Sequence, residues 1–457
     1  MNGIRIFIDF GSTFTKMVAF DLESETVAGR VQVPSTVDRD ITCGLEEAFA
    51  AISREVKVGA LERKQAVACS SAAGGLRIVC VGLVPDYTTK AGRMAALGAG
   101  ARIVGEYSFE LSAEELAEIE EIAPDIVLLT GGTDGGNKKV LLYNASLLAR
   151  SGREIRNVIV AGNKSAYDEI KSIFAGSDKK IIFTRNVMPE LGVLDVDPAN
   201  REIRELFINQ ITAAKGIDKV KTIIDAVIMP TPAALLEAAR LLADGAPGCP
   251  GLGELLLVDV GGATTDVYSV AKGASTKEAV TMAGLPEPYV KRTVEGDLGL
   301  VHNREVLYEL AQAEPHPDRF EETFQELYRN GMIPKGEAQE KVHHLLGRLA
   351  VKSAVDRHVG RIEMIATPGG AMPVQRGKDL TEIKTVIGSG GAISFSRNPL
   401  HLLEGALFQE TVPALLKPKN PVLMLDHKYI LFAVGLLAKS DPVKAFRIGR
   451  KYLRQLA

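Results

Sequence analysis

Residue types that build metal sites and disulfides are scarce in this sequence. The four cysteines, Cys43, Cys69, Cys80 and Cys249, are scattered without CxxC spacing. This distribution fits a reducing compartment and gives no signal of a metal site. The seven histidines likewise form no cluster with the spacing of metal ligands.

Long apolar runs and clusters of basic residues are also missing. The longest apolar tract, Tyr429 to Ala438, is far shorter than the ~20 residues that a membrane-spanning helix requires. The net charge is −3 and the basic residues are dispersed, so neither nucleic acid nor an anionic membrane is favoured as a partner. The first predicted strand begins at once, without a signal segment before it. We therefore expect a cytoplasmic protein with no membrane or nucleic-acid partner.

The length of the chain indicates more than one core. With 457 residues, 46% of them hydrophobic and 24% charged, the sequence suits two well-packed lobes. A segment rich in glycine and proline, Ala243 to Gly253, is interpreted as the linker between them. The first lobe is predicted to cover residues 1–250, with an α/β insertion at about 65–215, and the second lobe residues 251–457.

One short pattern occurs twice in the chain. The stretch Ile6 to Asp21, IFIDFGSTFTKMVAFD, predicts a strand, a tight polar turn and a second strand. A near copy, LLLVDVGGATTDVYSV, runs from Leu255 to Val270. The residues at matching offsets are Asp9 and Asp259, Gly11 and Gly261, Thr15 and Thr265, and Lys16 and Asp266.

The composition of these turns suggests an anion site. Glycine and small hydroxyl residues between two strands leave convergent backbone N–H groups that can hold phosphate oxygens. A carboxylate beside such a loop would repel phosphate, unless it holds a hydrated divalent cation. The alternative is a pair of unrelated β-turns, because Asp-x-Gly is common in hairpins.

A third glycine-rich turn follows a short apolar strand in KTVIGSGGAISF, Lys384 to Phe395. Taken alone this signal is weak, because strand, glycine and helix junctions occur in many α/β folds. After two matched hairpins, the turn Gly388–Gly391 is interpreted as the adenosine-side loop of a nucleotide clamp.

Other segments carry weaker signals. The loops 130–136 and 161–165 each follow a predicted strand, and they either line a ligand or partner crevice or are ordinary tight turns. Helices are predicted over Thr88 to Gly105, Asn398 to Gln409 and Pro442 to Gln455.

The order hairpin, hairpin, glycine-rich turn resembles the actin, sugar-kinase and heat-shock-chaperone superfamily. That resemblance implies an α/β, two-lobed actin-like ATPase fold made of duplicated ribonuclease H-like domains. A finer resemblance, over essentially the whole chain, is to the glutamate mutase L family. The motifs that carry it are DFGSTFTK, SSAAGGLR, LLTGGTDGG, VIVAGNKSA, VDVGGATTDV, VEGDLG and VIGSGG.

The family resemblance implies an ATP-binding, chaperone-like reactivating factor for an adenosylcobalamin-dependent mutase or aminomutase, with ATP or ADP and Mg²⁺ as cofactors. Asp9 and Asp259 are expected to hold Mg²⁺ through water, with Asp266 as a further catalytic carboxylate. The residues expected to contact the nucleotide are Gly11, Ser12, Thr13, Thr15, Lys16, Gly261, Gly262, Ala263, Thr264, Gly388, Ser389, Gly390 and Gly391.

One departure from the superfamily leaves the activity open. Heat-shock chaperones carry an acid ahead of the proline that opens the connecting helix, whereas this chain has Met229 before Pro230. Either another residue positions the attacking water or turnover is slow. The alternatives are a nucleotide-binding scaffold without turnover and a small-molecule kinase, for which no catalytic base with a surrounding motif is visible.

Overall fold

The fold was analysed in a computed structural model that describes residues 3–11, 13–36, 40–56, 63–71, 76–213, 220, 223–275, 280–368 and 370–456. The strands are β1 (Ile4–Phe10), β2 (Phe14–Asp21), β3 (Thr26–Pro34), β4 (Val67–Ser70), β5 (Arg77–Gly82), β6 (Arg102–Ser108), β7 (Ile126–Leu129), β8 (Asn157–Val160), β9 (Lys180–Phe183), β10 (Ala226–Pro230), β11 (Gly245–Ala246), β12 (Cys249–Pro250), β13 (Leu255–Val260), β14 (Thr265–Val270), β15 (Thr281–Met282), β16 (Val290–Glu295), β17 (Arg361–Thr367), β18 (Gly370–Arg376), β19 (Thr385–Ser389), β20 (Val422–Asp426) and β21 (Leu453–Gln455). The helices are α1 (Ile41–Glu55), α2 (Lys90–Gly98), α3 (Ala113–Ile122), α4 (Lys139–Arg150), α5 (Tyr167–Phe174), α6 (Asp197–Ala213), α7 (Thr231–Asp244), α8 (Arg304–Gln312), α9 (Phe320–Arg329), α10 (Glu337–His358), α11 (Gly391–Ser394), α12 (Pro399–Leu403), α13 (Leu431–Ala438) and α14 (Pro442–Lys451).

Two sheets with the same topology are built around the two predicted hairpins. The first has the order β10-β4-β1-β2-β3, and the second β21-β20-β19-β13-β14-β16. In each, the hairpin is antiparallel, its second strand pairs with a third antiparallel strand, and two later strands are parallel to the first. This repeated arrangement confirms the predicted duplicated, two-lobed actin-like ATPase fold.

The alternation of apolar residues along the hairpin strands determines which core each face covers. Ile6, Ile8 and Phe10 of β1 pack with α1 on one face, whereas Phe7 faces the core shared by the two sheets. In β13, Leu257 enters the same shared core and its neighbours pack with α8 to α10. Successive side chains of a strand point to opposite faces, so each hairpin is buried on both sides.

Two helices cross in the core between the sheets. Helices α7 and α13 pack together there, and both are almost entirely buried. At the crossing point, a Cβ added to Gly435 would lie 1.8 Å from the carbonyl oxygen of Ala234. Gly435 is therefore required for the close approach of these helices.

A third sheet lies between β4 and β10 in the sequence. Its five parallel strands have the order β6-β5-β7-β8-β9, with α2 to α5 in the connections. Numbered from its own first strand, this is the doubly wound order 2-1-3-4-5. Because β4 pairs with β1 in the first sheet, we infer that the insertion begins after Ser70, later than the predicted residue 65, and ends before Ala226.

Three predicted helices were too long. The helix predicted over Thr88 to Gly105 starts within a π-helix, Pro85–Thr89, and continues as α2, but it ends at Gly98, because Gly100 turns the chain with φ = 94°. The segment predicted as one C-terminal helix ends at Lys451, after which β21 pairs with β20. The helix predicted over Asn398 to Gln409 is the short α12 followed by one 3₁₀ turn.

The segment predicted as a linker is structured. Residues 245–250 form the small hairpin β11–β12, which contacts α14. Across the ranges given above, no helix is both long and apolar enough to cross a membrane.

We predict that Gly435→Ala lowers the free energy of unfolding by about 2 kcal/mol or more, because the added methyl group overlaps Ala234. Urea denaturation of the variant measures the effect. Gly176→Ala is the control, since a Cβ there meets nothing within 4 Å. Equal denaturation midpoints for Gly435→Ala and wild type would contradict the proposed helix contact.

Candidate functional site

The two hairpin turns are copies in their hydrogen bonds as well as in sequence. Asp9 pairs with Lys16 across the first hairpin, and Asp259 pairs with Asp266 at the same register in the second. The N–H of Gly11 donates to the carbonyl of Phe14 at 3.1 Å, and that of Gly261 to Thr264 at 2.9 Å. The predicted repeat is therefore a structural repeat, which makes two unrelated β-turns untenable.

The two turns also face each other. A Cβ added to Gly262 would lie 3.6 Å from Thr13 Oγ1, which belongs to the other hairpin. The backbone of Ala263 is packed against Gly299, so the second loop is supported from behind. Ser12 lies outside the described residues, while Thr13 and Gly262 lie next to each other; their contact with a nucleotide stays a prediction.

Asp259 has an incomplete set of partners. Its Oδ1 atom is buried and makes no hydrogen bond with any described residue. The pKa of Asp259 is raised to about 7, first by burial and then by the nearby carboxylates of Asp266, Asp9 and Asp426, which together outweigh the lowering effect of the Lys16 ammonium. A buried carboxylate oxygen without a donor or cation is unstable when ionised, so this position suits a positively charged ligand.

The carboxylate of Asp9, by contrast, has close partners on both oxygens. Lys16 Nζ donates to Oδ2 at 2.7 Å, and the hydroxyl of Thr231, the first residue of α7, donates to Oδ1. Lys16 also donates to the Tyr429 hydroxyl at 3.1 Å. Burial would lower the pKa of Lys16, but Asp9 and Tyr429 outweigh it and raise the pKa above its usual value.

Asp266 is held by a buried arginine. Arg292 of β16 places Nε 2.8 Å and Nη2 2.6 Å from Asp266 Oδ1. The hydroxyl of Thr264 donates to Oδ2 at 2.9 Å. The predicted further catalytic carboxylate therefore already has a counter-charge, unlike its cross-strand neighbour Asp259.

The glycine-rich turn after β19 adjoins the second hairpin. Gly388 pairs with Val258 and Ser389 with Asp259 in the parallel register. Gly390 has φ = 87°, and a Cβ there would lie 2.5 Å from Asp259 Oδ1, so only glycine allows this approach. Gly391 then begins α11.

Two predicted positions need comment. Thr15 is buried in β2, and a Cβ added to Gly44 of α1 would lie 3.4 Å from its Oγ1, so the Thr15 hydroxyl faces α1. Met229 is buried in the first sheet, and no acid stands directly before Pro230.

Sequence reasoning missed several residues around this site. Asp426 is the last residue of β20, and Asp9 and Asp259 each lie one residue before the end of their strands. This shared position of an aspartate at the end of an apolar run could have indicated Asp426 from the sequence. The Asp426 carboxylate accepts hydrogen bonds from the N–H groups of Ile430 and Leu431. Tyr429 and Arg292 lie far from the hairpins in sequence, so only the fold brings them to the site.

The loops 130–136 and 161–165 meet at the carboxyl edge of the third sheet. Asp134 Oδ1 accepts hydrogen bonds from the N–H of Lys164 at 3.1 Å and from Asn186 at 3.0 Å. Together with the start of α6 they line a cavity of about 610 Å³. The two loops thus share one cavity, and a role of that cavity as a ligand or partner crevice stays a prediction.

No three potential ligands among His, Cys, Asp and Glu gather as a metal site within the residues that the structure describes. The unpartnered Oδ1 of Asp259 nevertheless fits a hydrated Mg²⁺, which is usually bound through one or two carboxylates, waters and phosphate oxygens.

The fold and the site thus define a two-lobed α/β protein whose paired hairpin turns face each other beside a cluster of carboxylates. The family model for the MutL protein matches residues 5–453, and the chain belongs to that family. It is 42% identical over 459 residues to "Protein MutL" of Clostridium tetanomorphum, covering 98% of each chain.

The solved structures that match this chain do so at low sequence identity and low TM-score. An acetone carboxylase in its nucleotide-free form is 12% identical with a TM-score of 0.42, over 96% of this chain and 70% of that one. Gluconate kinase from Lactobacillus acidophilus is 10% identical with a TM-score of 0.35, over 99% and 93%. The ethanolamine utilization protein EutJ from Carboxydothermus hydrogenoformans is 12% identical with a TM-score of 0.25, over 97% and 89%.

We predict that wild-type stability falls relative to Asp259→Asn as the pH rises from 4 to 7. The folded-state pKa of about 7 lies above the ordinary value near 3.9, so ionising Asp259 costs folding free energy in that window. The difference should grow by roughly 1–3 kcal/mol and then level off above pH 7.

Urea denaturation at a series of pH values measures this difference. The control is Asp297→Asn. Arg357 lowers the pKa of Asp297, so the stability that ionised Asp297 contributes is lost as the pH falls, which is the opposite direction to that expected for Asp259. A pH-independent difference between Asp259→Asn and wild type would contradict the raised pKa.

Proposed function

We propose that this protein binds Mg-ATP and Mg-ADP between its two hairpin turns and acts as a reactivating factor for an adenosylcobalamin-dependent mutase or aminomutase. The observation that carries the nucleotide part is the proximity of Gly262 to Thr13, where a Cβ added to Gly262 would lie 3.6 Å from Thr13 Oγ1, together with the unpartnered Oδ1 of Asp259. Backbone N–H groups of facing turns form a concave anion site, and the carboxylate explains the need for a divalent cation.

The charges around the turns support a triphosphate as the ligand. Lys16 places an ammonium beside the first turn, since its Nζ would lie 3.7 Å from a Cβ on Gly11. In this proposal the Lys16 ammonium exchanges part of its contact with Asp9 for a phosphate oxygen. Asp9 keeps the Thr231 hydroxyl as a donor, so losing Lys16 does not leave it without a partner.

The assignment of the adenosine side rests on the third turn. Gly390 reaches Asp259, and the chain then runs through α11 to Phe395, whose ring is about half exposed. In the proposed complex, the Gly388–Gly391 turn contacts the adenosine, as the resemblance implies.

The partner follows from membership of the MutL family and from the resemblance to glutamate mutase L. Adenosylcobalamin-dependent mutases stall when the adenosyl group is lost and damaged cobalamin remains bound. A nucleotide-driven change in lobe arrangement could loosen such a complex. The affinity for the mutase can change only by as much as the free energy of nucleotide binding differs between the two lobe arrangements. The crossing of α7 and α13 is the contact through which the lobes would move relative to each other.

A second function, nucleotide binding without turnover, is favoured by one observation. The position before Pro230 is occupied by buried Met229, which has no group that could orient a water molecule. Under this alternative, exchange of ADP for ATP rather than hydrolysis would reset the protein.

We predict that Asp259→Asn weakens Mg-ATP binding at least tenfold, which corresponds to about 1.4 kcal/mol, because the metal loses its carboxylate. Isothermal titration calorimetry with Mg-ATP, repeated with ATP and EDTA, measures this effect and its dependence on the metal. Asp297→Asn, an acid on the surface of the same lobe, should bind as wild type does. Equal affinities of Asp259→Asn and wild type would remove the metal assignment.

We further predict that the protein and ATP together restore activity to a mutase inactivated by bound hydroxocobalamin, when free adenosylcobalamin is supplied. The readout is mutase turnover, together with release of corrinoid followed by its visible absorbance. Lys16→Met should restore much less activity at the same ATP concentration, because it lacks the phosphate-side ammonium. Release of corrinoid that is independent of nucleotide would contradict the proposal.

A further inference from the structure

Arg292 is a buried cation that touches two different parts of the fold. On one side its guanidinium forms the two close contacts with Asp266 Oδ1 in the second hairpin. On the other side its Nη1 donates to the carbonyls of Leu97 at 3.1 Å and Ala101 at 3.0 Å. Arg292 is only 5% exposed, so these contacts are shielded from solvent.

The chemistry of each contact suits a guanidinium. Leu97 and Ala101 flank the carboxyl end of α2, where helix carbonyls lack partners within the helix and a positive charge is favourable. A planar fork with five donors can serve a carboxylate and two carbonyls at once, whereas an ammonium cannot match that geometry.

The turn from Leu97 to Ala101 also lies next to Pro230, which precedes helix α7. A Cβ added to Gly100 would lie 2.9 Å from Pro230 Cβ. Pro230 precedes Thr231, whose hydroxyl donates to Asp9. The Leu97–Ala101 turn of the inserted region therefore adjoins residues that bind Asp9 in the first hairpin and Asp266 in the second.

We infer that Arg292 is a positioning residue that fixes Asp266 and couples the second hairpin turn to the Leu97–Ala101 turn of the inserted region. This inference rests on the proposed nucleotide site. When phosphates order the second hairpin turn, the fork between Asp266 and Arg292 is held more tightly, and the Leu97–Ala101 turn opens less often. Site occupancy is thereby transmitted to the inserted sheet through contacts that the structure contains.

Hydrogen–deuterium exchange of the amides of Ala99, Gly100 and Ala101 tests the coupling, because these N–H groups donate to carbonyls in the last turn of α2, those of Ala95, Leu97 and Ala96. In wild type, saturating Mg-ADP should slow their exchange at least threefold. In Arg292→Lys and in Asp266→Asn, at nucleotide concentrations that calorimetry shows to be saturating for each variant, the slowing should fall below 1.5-fold.

Arg204→Lys is the matched control. Arg204 Nη2 donates to the Gly98 carbonyl at 3.0 Å, so this variant removes a guanidinium from the same helix end without touching Asp266. Arg204→Lys should keep the threefold slowing. If Arg292 had only a structural role, Arg204→Lys and Arg292→Lys would be expected to behave alike. Should Arg292→Lys fail to fold, the near-isosteric Asp266→Asn carries the test.

The outcomes separate this inference from the proposed function. Slowing that persists in both Arg292→Lys and Asp266→Asn, or wild type that binds Mg-ADP without any slowing in the turn, overturns the coupling and leaves the nucleotide site intact. Calorimetry that detects no binding of Mg-ADP to wild type overturns the proposed function, and the coupling with it.

Discussion

The arrangement of the site depends on the partners of four aspartates, Asp9, Asp259, Asp266 and Asp426, which lie near the ends of strands in the two hairpin sheets. Asp9 has Lys16 and Thr231, Asp266 has Arg292 and Thr264, and Asp426 has two backbone N–H groups and Ser389. Asp259 alone has a buried oxygen with no partner among the described residues. Buried carboxylates are costly without counter-charges, and in the proposed function a cation that arrives with the nucleotide supplies the missing partner.

The groups that bind these aspartates come from both lobes, and one of them, Arg292, also contacts the inserted region. Lys16 belongs to the first sheet, but its second partner, Tyr429, follows the last long strand of the second sheet. Arg292 joins the second sheet to the end of α2. The carboxylate cluster is therefore connected by hydrogen bonds to both hairpin sheets and, through Arg292, to the inserted region.

Sequence alone predicted those parts of the fold that repeat or alternate. The two hairpins were recognisable because Asp, Gly and Thr recur at the same offsets. The ends of α2 and α14 were misplaced because Gly100 and the pairing of β21 with β20 are decided by backbone geometry and distant partners. Tyr429 and Arg292 were missed for the same reason, since their roles exist only once the sheets are assembled.

The central claim is that both hairpin turns bind one nucleotide. The most direct measurement is a crystal structure of the protein with Mg²⁺ and a non-hydrolysable ATP analogue. The account predicts phosphate oxygens within hydrogen-bond distance of backbone N–H groups from both the Gly11–Thr13 and the Gly261–Thr264 turns, with the metal on the Asp259 side. A nucleotide bound to one turn only, or in the cavity beside Asp134, would contradict it.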